Sequence, residues 1–208
     1  MPKELARGAE AVLYEDRFEE NNVLVKERIK KGYRIEQIDN KLRTERTRSE
    51  ARLINDAARA GVSVPKIFSV DEKENKIIME FIEGKLVKDV LNEGKEITSL
   101  AKNLGMAIGK LHSAGIVHGD LTTSNMILSK NKIVFIDFGL GQHSSHQEDQ
   151  ATDLAVLHEA IRASNFENLN TIWPKIVEAY KSNFTQADKV LKALQSIESR
   201  GRYVRRGE

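Results

Sequence analysis

The stretch His118-Gly119-Asp120-Leu121-Thr122-Thr123-Ser124-Asn125, followed by Asp137-Phe138-Gly139, decides the reading of this chain. Between the two motifs, Asn125-Met126-Ile127-Leu128 and Ile133-Val134-Phe135-Ile136 read as short apolar strands. The polar run Ser129-Lys130-Asn131-Lys132 turns between them, so a hairpin would bring Asn125 beside Asp137. That combination suits phosphoryl transfer. Asp120 would orient and deprotonate an acceptor hydroxyl, while Asn125 and Asp137 would offer oxygen ligands to Mg2+. Either motif alone is short enough to recur by chance, and the order and the hairpin give the pair its weight.

Composition sets the outer limits. The chain has 208 residues, enough for one domain or two small lobes sharing a core, with 40% hydrophobic and 31% charged residues. No run approaches the roughly 18 apolar residues that cross a bilayer, and Met1 to Ala11 lacks the apolar centre of a signal peptide, so a cytosolic protein with no membrane partner is expected. The absence of cysteine excludes disulfides, thiol catalysis and cysteine zinc sites. A formal net charge of +2 argues against overall affinity for nucleic acid, which leaves local clusters to consider.

Outward from the motifs, the pattern divides in two. Ala11 to Tyr14 and Val23 to Ile29 read as strands separated by Glu15-Asp16-Arg17 and Asn21-Asn22. A helix is predicted from about Ile35 to Ala60, with Ile38, Leu42, Leu53, Ile54 and Ala57 on its apolar side, before Gly61 and Val64-Pro65 end it. Ile67 to Val70 and Lys76 to Phe81 form a second hairpin. Beyond Gly84 the chain is mainly helical: Ile97, Leu100, Ala101, Leu104, Ile108 and Leu111 trace one apolar stripe, and similar stripes recur from Asp149 to Arg200. The expected fold is therefore α+β, a minimal bilobal protein-kinase-like fold with a β-rich N-lobe over 1–82, a helical C-lobe over 83–199 and a basic tail over 200–208.

In such an architecture a strand lysine contacts the nucleotide phosphates and pairs with a glutamate on the next helix. Lys26 fits, because alternation puts Leu24 and Lys26 on one face and Val23 and Val25 on the other. Alone it would read as a solvated strand lysine; the later motifs change that. Glu50 is the natural partner, although periodicity leaves Glu45 in competition. Gly8-Ala9-Glu10-Ala11 lies where a phosphate-cradling loop belongs, with one glycine where three are usual, and an ordinary turn glycine is the rival reading. Met79 would back an adenine pocket, with the Glu80 carbonyl and Ile82 amide offered to the base; as pattern they are strand residues. His118 is expected to buttress the catalytic loop, and His143 and His146 read as surface histidines. The long peptide-gripping activation segment is missing, and Thr122 replaces the catalytic-loop lysine.

The sequence closely resembles the small atypical kinases of the KEOPS (EKC) complex, the PRPK family of archaea and eukaryotes. The likeness rests on Gly8 to Ala11, Val25-Lys26-Glu27-Arg28, Lys31-Gly32-Tyr33-Arg34, Arg48-Ser49-Glu50-Ala51-Arg52, Gly61-Val62 with Pro65, Met79 to Gly84, His118 to Thr122, Asp137 to Leu140, the stretch from Glu148-Asp149 to Asp153-Leu154, and Arg200-Gly201-Arg202. Ala155 to Ala160 departs from a more aromatic version of that helix. The resemblance selects Glu50 over Glu45. It implies an ATP- and Mg2+-dependent, autophosphorylating serine/threonine kinase or ATPase subunit serving threonylcarbamoyladenosine formation on tRNA. It also implies a Kae-type threonylcarbamoyl transferase on the C-lobe and a small Cgi-type subunit on the N-lobe.

Two basic clusters remain. Arg28, Lys30, Lys31, Arg34, Lys41, Arg43, Arg46 and Arg48 crowd the first helix region, and Arg200, Arg202, Arg205 and Arg206 the tail. RNA phosphates are one reading, and a solvated face or a protein partner the other. Two further functions compete with the main one: a small-molecule phosphotransferase of the aminoglycoside or choline kinase type, which also uses His-Gly-Asp but carries a long helical insertion, and a pseudokinase scaffold, favoured only by the one-glycine loop.

Overall fold

The structure, a computed structural model, describes residues 2–204, with side chains described through Arg200. Strands β1 (Lys3–Arg7), β2 (Ala11–Phe18) and β3 (Asn21–Arg28) form an antiparallel meander. Helix α1 (Glu36–Arg59) follows, and then the hairpin of β4 (Ile67–Asp71) and β5 (Lys76–Glu80) completes a sheet of order β1-β2-β3-β5-β4. The sheet is larger than expected. β1 escapes sequence reading because all five of its residues are exposed, which leaves no apolar alternation to detect. β2 runs straight through Glu15-Asp16-Arg17, because each of these residues sits opposite a β3 residue, from Leu24 to Asn22, and the ladder satisfies the backbone whatever the side chains are.

After the connector Phe81 to Gly84 come β6 (Lys85–Leu86), α2 (Val87–Glu93), α3 (Ile97–Ser113), β7 (Ile116–Val117), β8 (Met126–Ser129), β9 (Lys132–Phe135), β10 (Gln142–His143) and α4 (Gln147–Ser164). A 3-10 turn at Phe166–Asn168 leads to α5 (Leu169–Asn183) and α6 (Ala187–Val204). The predicted hairpin is β8–β9, tightened by Lys130 (φ 47°) and Asn131 (φ 62°), the two positive angles of a two-residue turn. The backbone of α6 continues through Val204, so the tail's first residues prolong a helix; residues 205–208, with Arg205 and Arg206, lie outside the described residues.

Helix α1 has two characters. From Ala51 onward it is apolar where buried, and Leu53, Ile54 and Ala57 join Leu104, Ile108, Leu111, Phe135, Phe138, Leu154 and Tyr180 in the main core. Up to Glu50 it buries polar groups instead: Asp39, Thr47 and Glu50 are at most 1% exposed, while Ile38 is 52% exposed, against the expectation that Ile38 lies on the buried side. The reason is charge pairing. Arg43 Nε donates to Asp39 within the helix at 2.8 Å, Arg34 of the link before α1 lies 3.7 Å from Asp39, and Arg43 Nη1 donates to the Arg28 carbonyl at the end of β3 at 3.4 Å. The lower end of α1 thus belongs to the helical core, whereas its upper end faces β3 and the functional residues there.

Candidate active site

Lys26 and Arg28 are two apart on β3 and therefore point to the same face, toward α1. Both are buried, 7% and 5% exposed, and both reach one carboxylate. Lys26 Nζ donates to Glu50 Oε1 at 2.6 Å, and Arg28 Nη2 to Glu50 Oε2 at 2.6 Å. Glu45 points elsewhere, half-exposed beside Lys41 on the helix surface. Lys26 also donates to Asp137 Oδ1 at 2.7 Å, which links β3, α1 and the Asp-Phe-Gly turn through one ammonium group. Burial works to lower the Lys26 pKa, but the Glu50 and Asp137 charges prevail and hold it above the usual lysine value. For Asp137 burial pushes upward, and Lys26, aided by the Gly139 N–H, keeps the carboxyl below its usual range.

The second half of the site is built on a buried frame. Asp153 of α4, 1% exposed, accepts from the His118 N–H at 2.6 Å and the Gly119 N–H at 2.9 Å, and His112 Nε2 lies 3.4 Å from it. His118 Nε2 donates to the Ile136 carbonyl at 3.0 Å, and its Nδ1 accepts from the Asp120 N–H at 3.4 Å. The ring also stacks on Phe138, with centroids 4.7 Å apart. His118 therefore fastens the Asp120 loop to the Asp-Phe-Gly segment, the buttressing expected of it, and burial lowers its pKa below the usual histidine value. Gly119 is required: its φ is 77°, and a Cβ there would lie 2.1 Å from the Leu140 carbonyl oxygen.

Asn125 follows this loop. Its Nδ2 donates to both the backbone oxygen of Asp120 (2.9 Å) and the carboxylate Oδ2 (2.8 Å), while its own carbonyl accepts from Ile136 N–H at 3.0 Å. The amide hydrogens being spent on Asp120, the Asn125 side chain has its oxygen to offer a cation. With the half-exposed Asp137 carboxylate, the donor set is all hard oxygen, which fits Mg2+. The hairpin thus brings Asn125 and the Asp-Phe-Gly turn together.

The residues expected on the nucleotide side are less uniform. Gly8 to Glu10 make a tight turn between β1 and β2, closed by Gly8 N–H to the Ala11 carbonyl at 2.9 Å. A Cβ at Gly8 would touch only the Ala11 oxygen at 3.5 Å, so this turn does not demand glycine. Ala9 sits in the same turn and Ala11 opens β2, and the Glu10 carboxylate is directed to α1, where Arg46 binds it through both oxygens. Met79 is buried with Ala51 and Ile77 beneath the sheet. Glu80 leaves β5 with its N–H on the Lys66 carbonyl at 2.8 Å and its carboxylate on the Lys66 N–H at 3.1 Å, and Ile82 is half-buried in the connector. His143 packs on Asp56 at 3.1 Å, and His146 is the residue before α4.

Sequence reasoning missed Arg28 and Asp153. Nothing in a charged residue's identity distinguishes burial from exposure; the only available signal was that Arg28 shares Lys26's strand parity.

This two-part arrangement, a five-stranded sheet with one helix above a helical region that holds the Asp120 loop, is the protein-kinase-like fold. A family model described as RIO domain matches residues 14–163, and the chain belongs to that family. Among curated relatives, a probable bifunctional tRNA threonylcarbamoyladenosine biosynthesis protein of Methanothermobacter thermautotrophicus is 44% identical over 202 residues, covering 97% of this chain and 37% of that protein. One of the same description from Methanobrevibacter smithii is 40% identical over 200 residues, covering 96% and 36%. The chain thus spans little more than a third of these relatives. A solved structure described as WaaP in complex with acyl carrier protein superposes with a TM-score of 0.68 at 14% identity, covering 98% of this chain and 88% of that one, which shows shared fold.

Proposed function

We propose that this chain is a Mg-ATP-dependent phosphotransferase or ATPase of the serine/threonine type, working in the cytoplasm in the biosynthesis of threonylcarbamoyladenosine on tRNA. The observation that carries the chemistry is the continuous set of contacts Glu50–Lys26–Asp137 on one side and Asn125–Asp120 on the other. Lys26, held charged, is placed to bind phosphate oxygens. Asp137 and Asn125 would hold Mg2+, which when bound neutralises charge on the phosphates. Asp120, its Oδ2 fixed by the Asn125 amide, accepts the proton from the attacking hydroxyl or water. Met79, the Glu80 carbonyl, the Ile82 amide and the turn from Gly8 to Ala11 would line the base and phosphates.

The assignment to tRNA modification rests on the relatives' names and on the KEOPS-kinase resemblance. On the same footing, a Kae-type transferase would dock on the helical region and a small Cgi-type subunit on the β-rich region, with tRNA reached through the assembly and through the basic tail. With only a short link from Gly139 to α4, generic peptides should be poor substrates and isolated activity should be autophosphorylation. The test is thermal shift with Mg-ATP. Binding to the folded state alone should stabilise by about 2.7 kcal/mol at a hundredfold excess over Kd. The shift should need magnesium and shrink in Asp137→Ala. A response indifferent to magnesium, or undiminished in the variant, would refute the site.

A further inference from the structure

The Glu10 side chain does not face the proposed nucleotide site, and the contacts it makes instead form the longest charge network among the described residues. From Glu10 the order is Arg46, bound by both carboxylate oxygens, and Arg28, whose Nη1 lies 3.5 Å from Oε2. Arg28 then donates to Glu50 at 2.6 Å, Glu50 accepts from Lys26 at 2.6 Å, and Lys26 reaches Asp137 at 2.7 Å. The result is an unbroken alternation, Arg46, Glu10, Arg28, Glu50, Lys26, Asp137, that runs from the middle of α1 through the β1–β2 turn and β3 to the Asp-Phe-Gly segment.

Two features show that Glu10 matters to this series. It is the one acidic residue lining a crevice whose other charged walls are Arg28, Lys31, Arg34, Arg43 and Arg46. Arg34 and Arg43 have Asp39 as a counter-ion, so loss of the Glu10 charge falls on Arg46 and Arg28. Arg28 is also poorly provided for: it is 5% exposed, its Nε is buried without a partner among the described residues, and its two counter-ions are Glu10 and Glu50. If Glu10 is neutralised, Arg28 has Glu50 alone as counter-ion, on a carboxylate whose other oxygen Lys26 holds.

We infer that Glu10 is a positioning residue: it fastens the β1–β2 turn to α1 and, through Arg28, sets the Glu50 carboxylate that holds Lys26. A turn that lacks the flexibility of three glycines is in this way coupled to the helix by a side chain, so movement of the turn over a nucleotide and placement of the phosphate-binding lysine are one event. The inference rests on the nucleotide-site reading for its consequence, though not for its geometry. Its rival is an ordinary surface ion pair, since the Glu10 and Arg46 side chains are 42% and 37% exposed and such pairs contribute little to stability.

The experiment has two readouts on six proteins: wild type, Glu10→Gln, Arg46→Gln and their double variant, with Arg48→Gln and its combination with Glu10→Gln as controls because Arg48 pairs with Glu72 away from the series. In the ligand-free protein, amide hydrogen exchange should quicken in the turn around Glu50 as well as in residues 8–11 when Glu10 is changed, and should not when Arg48 is changed. By titration calorimetry, Kd for Mg with a non-hydrolysable ATP analogue should weaken roughly fivefold in Glu10→Gln. The double variant should be no worse than the single ones, while Glu10→Gln and Arg48→Gln combine additively. Unchanged exchange around Glu50 in Glu10→Gln, or additive effects of Glu10→Gln and Arg46→Gln, overturns the inference. If wild type fails to bind the analogue, the nucleotide reading falls, and the exchange measurement still decides the coupling.

Discussion

Glu50 carries two buried cations on one carboxylate, and that makes it a structural residue as well as a proposed catalytic one. Removing a partner from a buried ion pair leaves uncompensated charge, which costs about 3–5 kcal/mol. Glu50→Ala should lower the unfolding free energy read from urea denaturation by that amount, and a loss under about 1 kcal/mol would show that Lys26 and Arg28 find other partners or water. His118 offers a second residue-level test. Its pKa is depressed in the folded protein, so below the unfolded value near 6.5 the unfolded chain binds a proton that the folded chain refuses. The stability contributed by neutral His118 is complete above pH 6.5 and is lost as pH falls toward the lowered folded value. His118→Gln should therefore flatten the stability profile on the acid side of pH 6.5, and an unchanged slope would count against the neutral ring. At this scale Lys26, Asp120, Asn125 and Asp137 were legible because motif order and strand alternation constrain them. Glu50 needed the family resemblance, since helical periodicity alone kept Glu45 in contention. Arg28 and Asp153 stood in quoted stretches but received no role in the site, because a buried ion and a solvated one are spelled alike.

Among the elements, α1 was predicted within a residue at each end, while β1 was not seen. The difference is physical: α1 contributes Leu53, Ile54 and Ala57 to a core, whereas β1 contributes backbone hydrogen bonds and nothing apolar to bury. The pairing of α3 with α5 gives a prediction in which two effects oppose each other. Glycine inside a helix costs about 1 kcal/mol relative to alanine, so Gly105→Ala would help an isolated α3. Packing decides otherwise, because the added Cβ would lie 2.2 Å from the Ile176 carbonyl oxygen and 2.8 Å from the Ala179 Cβ. The helices would have to separate, and a net loss of about 1–3 kcal/mol is expected by chemical denaturation. A gain would mean that α5 yields easily. For α6, Leu194 and Ile197 are packed on the core while Ser199 and Arg200 are exposed. Deleting residues 200–208 should leave Tm nearly unchanged and weaken binding to a transferase–tRNA assembly, with the loss shrinking at high salt if phosphates are the target. A truncated chain that unfolds, or that associates as well as the full one, would contradict this.

At the scale of the whole molecule, the site is a seam between two parts held by different forces. The helical region and α1 from Leu53 onward share an apolar core, and α1 meets the sheet through the ion pairs of Glu50 with Lys26 and Arg28 beside a small apolar group of Ala51, Ile77 and Met79. The two-part α+β plan could be read from the change of pattern near Gly84, because alternation and helical stripes are properties of long segments. How the parts meet could not, because it depends on which charges are buried. No helix among the described residues is long and apolar enough to cross a membrane. The central claim, that Asp120 performs chemistry while Lys26, Asn125 and Asp137 hold the nucleotide, predicts a separation of effects. In Asp120→Ala, ATP hydrolysis or autophosphorylation at saturating Mg-ATP should fall on the order of a hundredfold or more, with affinity for ATP within a few fold of wild type. Turnover close to wild type in that variant would contradict the account.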